Sequence, residues 1–351
     1  MQTALAPPSH KPTHFRRAQL IVAGSLIGLF LVVRFILFEH LPEKYFIDSG
    51  RLSDLVQSGN FDENSTGITA FLLSLVPEAF WPFVNTAIAV AIALWATISS
   101  KSYKALALVI LVYPPMMVLT LLVPSKETIV VLFALGVLCT SKRLSGISLI
   151  AAIMILYGWY GATVRSYYLL IAAVFVFLVA LRRLAPGLRV LCVTAFFGML
   201  LLVPGDIFYA LQGTRDTTNL AASYVMASDN RTAFFNPYAA DTATGFLANY
   251  VYAALLLNMP FIKFVSLSEL VLFVNILLYG SVMVAGLRSR STQTRLLSTL
   301  FASHILVLWL FEPDLGSYFR HFSSAFPYLI PALAELSSNA LPNTSDDVNP
   351  A

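Results

Sequence analysis

The sequence predicts an all-α protein, a polytopic bundle of membrane helices, and three observations predict it. Of its 351 residues 58% are hydrophobic and 11% charged, with a mean hydropathy of +0.77, whereas soluble domains carry about a quarter charged residues. Several apolar runs reach the roughly 20 residues that a helix needs to cross hydrocarbon. No apolar/polar alternation of the outer-membrane barrel kind separates them, so the spans are helices.

The first run, 19–38, follows His14-Phe15-Arg16-Arg17. It is too long for a signal-peptide core and has no small-residue cleavage site behind it, so it reads as an uncleaved anchor. Further apolar runs lie at 81–98, 105–123, 129–140, 146–162, 167–181, 190–204, 270–287, 296–311 and 323–336. Short loops rich in Lys and Arg stay cytoplasmic. Arg16 and Arg17, Lys101 and Lys104, Lys142 and Arg143, Arg182, Arg183 and Arg189, and Arg288, Arg290 and Arg295 recur at alternate span ends and mark that side. A full crossing at 246–264 would carry the last cluster outside. That segment holds Asn249, Asn258, Pro260 and Lys263 and therefore reads as interfacial or re-entrant. About ten crossings follow, with both termini cytoplasmic.

Residues 1–336 then form one transmembrane domain with two long outer segments, 39–80 and 205–266. Residues 337–351, rich in Pro, Asn, Ser and Asp, read as a disordered cytoplasmic tail. Cys139 and Cys192 each sit in an apolar run, so they are packing residues with no disulfide or thiolate metal role. No nucleotide-binding glycine motif and no soluble cytoplasmic domain is evident, which argues against chemistry fed by ATP or a nucleotide sugar; nothing points to nucleic acid.

Acidic side chains gather on the side opposite the basic clusters: Asp48, Asp54, Asp62, Glu63, Glu127, Asp206, Asp216, Asp229, Asp241, Glu312 and Asp314. Acids outside follow in part from bases inside. Against that bias, Lys126, Arg165, Arg215, Arg231 and Arg320 also fall outside. In Pro124-Ser125-Lys126-Glu127 a tight hairpin places a lysine and the first amides of a helix together, a ready anion site; the plainer reading is an interfacial ion pair. Arg165 sits in a second short hairpin beside Tyr167, Tyr168 and Tyr157-Gly158-Trp159-Tyr160-Gly161, where its planar fork suits bidentate phosphate and the rings offer a surface for a sugar or an isoprenoid; the plainer reading is an arginine that snorkels.

Arg34, inside the first span, is costly there and marks either the bundle interior or function. The stretch Phe311-Glu312-Pro313-Asp314-Leu315-Gly316-Ser317-Tyr318-Phe319-Arg320-His321 sets two acids before an Arg-His pair, which makes His321 a candidate proton acceptor. His304 lies halfway back into the preceding helix, and with no His-x-x-x-His or cysteine cluster a zinc site is disfavoured. Outward cations suit an anionic group, and carboxylates with a histidine suit removal of a proton, a pairing that suggests group transfer from a lipid-linked diphosphate sugar.

Four pieces, Lys44-Tyr45-Phe46-Ile47-Asp48-Ser49, Pro124-Ser125-Lys126-Glu127, Arg165-Ser166-Tyr167-Tyr168 and 311–321, in that order, resemble those of bacterial O-antigen and capsule repeat-unit polymerases. The resemblance implies a GT-C-like bundle in the bacterial inner membrane. It implies transfer of a glycan from undecaprenyl diphosphate onto the next lipid-linked repeat unit at the periplasmic face. No cofactor or metal is implied, and a flippase and a chain-length regulator are implied partners. Carried over, Arg165, Arg320 and Lys126 would hold the diphosphate, and His321 or Asp48 would act as base, with Glu127 and Asp314 the further catalytic candidates. Arg215, Arg231, Tyr168 and Glu312 complete the candidate binding set. The long outer loop departs from the arginine-dense pattern of some members, keeping only Arg215 and Arg231. Competing readings are a GT-C glycosyltransferase fed by a polyprenyl monophosphate sugar, an O-antigen ligase, and a flippase of lipid-linked glycans.

Overall fold

The computed structural model describes residues 13–41, 46–62, 64–226, 231–263 and 266–337. Among these the only strand pairing is an isolated bridge between Ala233 and Asp314; the rest of the regular structure is helical. The helices are α1 (Thr13–Val32), α2 (Ile47–Ser58), α3 (Ser65–Ser74), α4 (Trp81–Ser99), α5 (Tyr103–Thr120), α6 (Lys126–Ser141), α7 (Gly146–Thr163), α8 (Tyr167–Arg183), α9 (Pro186–Leu200), α10 (Gly205–Met226), α11 (Ala243–Asn258), α12 (Leu267–Leu287), α13 (Thr292–Phe311) and α14 (Leu315–Ser324), followed by a 3₁₀ segment, Phe326–Ser337.

Many starts are written locally. Asn64, Ser102, Ser125, Thr242, Ser291 and Asp314 each accept a backbone N–H of the first turn that follows, so donors that the helix cannot satisfy are met at the junction. In lipid this matters more than in water, because no solvent is available to an orphan amide.

Among the described residues, six helical stretches are long and apolar enough to cross a membrane: Thr13–His40, Glu78–Ser99, Tyr103–Thr120, Gly146–Thr163, Leu267–Leu287 and Thr292–Phe311. A seventh arises if Pro186–Leu200 and Gly205–Ala221, bent by 92° at their junction, count as one broken span. This is an all-α polytopic bundle, but the expected ten crossings are not what it supports. The runs 129–140 and 167–181 become helices of 16 and 17 residues, roughly 24–26 Å long against hydrocarbon of about 30 Å. The run 323–336 is split between the end of α14 and the 3₁₀ segment. Segment 246–264 gives the 16-residue α11 and a 3₁₀ turn, Pro260–Ile262. The expected outer segments are helical too: 39–80 holds α2 and α3, and 205–266 holds α10 and α11. Most of the tail, 338–351, lies outside the described residues.

At the centre stands α13, 67% buried over its apolar stretch against 17% for the first helix. It packs along α8, α12 and the 3₁₀ segment, while α1 lies against α4 and α5 at the margin. The α12–α13 approach is close enough that a Cβ at Gly286 would collide with Ser298 and with Ala332.

Basic side chains close one end of the bundle. Arg182 donates to the Leu287 carbonyl (2.5 Å) and to Thr299 Oγ1 (3.2 Å), Lys142 lies 4.0 Å over the Trp95 ring, and Gln293 donates to Ser141 (2.7 Å). These contacts tie the far ends of α4, α6, α8 and α12 to the start of α13. The opposite end holds Glu127, Glu312, Arg165, Arg320 and His321.

Candidate functional site at the acidic end of the bundle

The site is assembled from three chain reversals. The first is the α5–α6 hairpin, where a reciprocal cap forms: Ser125 Oγ accepts the Thr128 N–H (3.3 Å) while Thr128 Oγ1 accepts the Ser125 N–H (3.2 Å). The cap puts Glu127 in the first turn of α6, where the helix dipole favours a carboxylate. It also uses the Thr128 amide that an anion at this N-terminus would need. Lys126 turns to α3 and donates to Thr66 Oγ1 (2.7 Å).

The second reversal joins α7 to α8 and carries Arg165. Its Nη1 donates to the Tyr167 hydroxyl (2.9 Å), and its Nη2 lies 3.4 Å from Glu127 Oε1.

The third follows α13. Asp314 caps α14, accepting the Ser317 N–H (2.9 Å) and hydroxyl (2.8 Å). That cap starts a helix whose Leu315, Tyr318, Phe319 and Phe322 are buried, leaving Arg320 and His321 on the other side. Arg320 Nε lies 3.8 Å and His321 Nε2 3.0 Å from Glu127 Oε1. The second ring nitrogen, Nδ1, lies 2.6 Å from Glu312 Oε1.

One oxygen, Glu127 Oε1, thus has three cationic or titratable partners within 3.8 Å, drawn from two other hairpins. The carboxylates are sealed, with side chains 3% and 1% exposed for Glu127 and Glu312, whereas Arg320 keeps 27% and His321 17%. The acids therefore stand behind, and the Arg-His pair meets whatever enters. Glu312 Oε2 is buried with no hydrogen-bond partner among the described residues, an arrangement that native interiors mostly avoid.

Burial alone would pull the His321 pKa below its ordinary 6.5, but the Glu312 charge and the hydrogen bonds with Glu127 and Glu312 outweigh it. The group sits above that value, with Arg165 working in the opposite direction. With His321 protonated, the three cations Arg165, Arg320 and His321 face the two carboxylates, leaving one net positive charge for an anion.

Other expected residues are placed elsewhere. Arg215 is fully buried and clamps the end of α13, donating to the carbonyls of Glu312 (2.9 Å) and Trp309 (2.7 Å) and to Asn236 Oδ1 (2.6 Å). Arg231 pairs with Glu269 (2.5 Å) in the first turn of α12 and is 62% exposed. Asp314 is occupied as a cap and as one side of the bridge to Ala233. Tyr168 is buried among Tyr157, Tyr160, Tyr167 and His304 and so offers no open stacking face. The side chain of Asp48 lies outside the described residues. Among the described residues, no group of three or more His, Cys, Asp or Glu is placed to hold a metal ion.

Tyr167, among the rings near Arg165 but outside the candidate binding set, is the one that touches the arginine, and its first-turn place two residues on is the signal for it. His304 joins a buried chain, His304 Nε2 to the Tyr157 hydroxyl (2.6 Å) and on to the Tyr328 hydroxyl (2.7 Å). Nothing in the spacing of 157, 304 and 328 announces that contact. Comparison with protein-family models, with curated proteins and with solved structures returns no match.

Proposed function

We propose that this chain is a glycosyltransferase of the membrane that joins lipid-diphosphate-linked glycan units, a repeat-unit polymerase working at the outer face of a bacterial inner membrane. The observation that carries the reading is the meeting of Arg165, Arg320 and His321 on the single oxygen Glu127 Oε1. The resemblance of the four motifs supplies the reaction class and the GT-C-like outline. A flippase and a chain-length regulator are the corresponding partners.

In this reading an acceptor hydroxyl oxygen attacks the anomeric carbon of the donor. The bond from that carbon to the diphosphate oxygen breaks, and the electron pair leaves with the diphosphate. Arg320 and Arg165 offset the charge that develops on the leaving group, as oriented guanidinium donors do best in a sealed site. His321 takes the hydroxyl proton on Nε2, which parts from Glu127 to meet the acceptor while Nδ1–H stays on Glu312. Both of its ring nitrogens face carboxylate oxygens, at 3.0 and 2.6 Å, an arrangement complete only in the imidazolium, so the neutral base exists above its raised pKa. The same carboxylates then make it a strong base.

Arg165→Ala and Arg320→Ala, introduced in a complementation assay, are each expected to abolish polymer chains while single lipid-linked units persist. Full-length ladders from both variants would end the assignment. Deletion separates the rivals: loss of a polymerase leaves one-unit glycan at the surface, loss of a ligase leaves polymer unattached, and loss of a flippase leaves units inside.

A further inference from the structure

A second feature stands apart from the Glu127 cluster. A cavity of about 400 Å³ lies where the end of the first helix meets α2, the start of α4 and the α5–α6 hairpin. Its walls are mostly apolar, with Phe38, Leu52, Val56, Leu73 and Trp81 among them, and Arg34 lines it.

The first helix changes character here. After Val32 it continues as a π-helical turn, Val33–Leu37, before a 3₁₀ end. Such widened turns are uncommon and gather at functional positions. Arg34 is the only charged residue of that turn. Its guanidinium carbon lies 4.7 Å from the Phe38 ring centroid and 5.8 Å from that of Phe35, and its Nε is buried with no hydrogen-bond partner among the described residues. A guanidinium carries five N–H donors, and a cation within an apolar helix is costly unless something answers it. Aromatic faces answer the charge in part and leave the directed donors unspent.

The surroundings say what kind of molecule would use them. Phe35, Ile36 and Leu37 follow Arg34 and are 58%, 65% and 43% exposed, and Phe80 and Phe83, beside Trp81 and Pro82, are 58% and 67% exposed. A mostly apolar cavity that holds one cation, its lining residues flanked in sequence by these exposed apolar side chains, suits an amphiphile, with an anion for Arg34 and methylenes for the wall. The carboxylate on the lining, Glu78, is exposed and already accepts hydrogen bonds from Ser53 Oγ (2.7 Å) and Gln57 Nε2 (3.2 Å).

We propose that this cavity seats the phosphate headgroup of a bilayer amphiphile, with Arg34 as the partner of the phosphate and the Phe38–Leu73–Trp81 wall against the first methylenes of its tail. The site is independent of the glycosyl-transfer reading, and its test reads binding, so either can fail alone.

The test is native mass spectrometry of the purified full chain, released from micelles containing phosphatidylglycerol, a polyprenyl monophosphate or, as the phosphate-free control, diacylglycerol. Wild type is expected to retain one copy of a phosphate-bearing amphiphile at least about tenfold more tightly than diacylglycerol, and the tighter of the two phosphates names the source. Arg34→Gln is expected to lose that copy alone, and Arg34→Lys to keep it in part. Retention by Arg34→Gln equal to wild type, or diacylglycerol held as well as the phosphates, would overturn the site. A measurement on the unaltered chain covers the case in which the Arg34 variants do not fold. Brominated phosphatidylglycerol should quench the fluorescence of Trp81, identified by its loss in Trp81→Phe, at concentrations where brominated diacylglycerol does not; equal quenching by the two also overturns it.

Discussion

Replacing Glu312 by glutamine tests the proton-transfer reading with little change of shape. The side chain is 1% exposed, and its Oε1 lies 2.6 Å from His321 Nδ1. Its backbone is held from two directions, since the Glu312 N–H donates to the Leu308 carbonyl (3.0 Å) and its own carbonyl accepts Arg215 Nε (2.9 Å). Glutamine keeps an acceptor for Nδ1–H and removes only the charge. A hydrogen bond to an ionised partner contributes about 1.5–3 kcal/mol net and a neutral one about 0.5–1.5 kcal/mol, a difference of about 1–1.5 kcal/mol. At about 1.4 kcal/mol per tenfold in proton affinity, the imidazolium loses about one pH unit of its stabilisation.

The assay is polymerisation by the full chain in nanodiscs, with kcat/KM followed across the pH range in which histidine titrates. Wild type should show a limb that rises with pH and is centred above 6.5, because the base form of His321 appears only above its raised pKa. In Glu312→Gln that limb should move acidward by about one pH unit. Stability carries the same sign. A histidine whose folded pKa is raised contributes stability that is fully present below its unfolded value and lost as pH rises through the folded one. The melting gap between wild type and Glu312→Gln should therefore be widest in acid and narrow in base. A limb that does not move, or a rate that only falls with pH, would refute His321 as the base.

Three further outcomes follow from the packing. Arg215→Met strips donors from the buried Glu312 carbonyl and from the part-buried Trp309 carbonyl and Asn236; at about 1–3 kcal/mol for a buried group left unsatisfied, and allowing for relief of a buried charge, it should cost about 2 kcal/mol, read as a lower melting temperature. Asp314→Asn should stay near wild type because asparagine caps as well as aspartate, whereas Asp314→Ala should lose about 1 kcal/mol in the same measurement; a catalytic carboxylate would instead lose activity in both. Gly286→Ala forces its new methyl against Ser298 and Ala332 and should cost about 1–3 kcal/mol in thermal unfolding, with no change at the Glu127 site.

Composition and apolar run length determined that this chain is a helical membrane bundle, because burying backbone in lipid admits few solutions and long apolar runs announce the helical one. The gathering of Lys126, Glu127, Arg165, Arg320 and His321 at one end was legible as charges at hairpins on one side, whereas Ser125 and Asp314 read there as chemistry and not as the caps they are. The crossing number was not legible, because an apolar run does not say where its helix ends or turns: the helix formed from 190–204 is bent by 92° against the next one. Only the tertiary structure decided which charges act together. It turned Arg165, Arg320 and His321 onto Glu127, set Arg215 and Asp314 to holding helix ends, and gave Arg231 to Glu269. The physical reason is one of range. Hydropathy and capping act within a few residues, whereas the partners of a buried charge come from packing between segments as far apart as residues 127 and 321, and no local pattern in the chain encodes that distance.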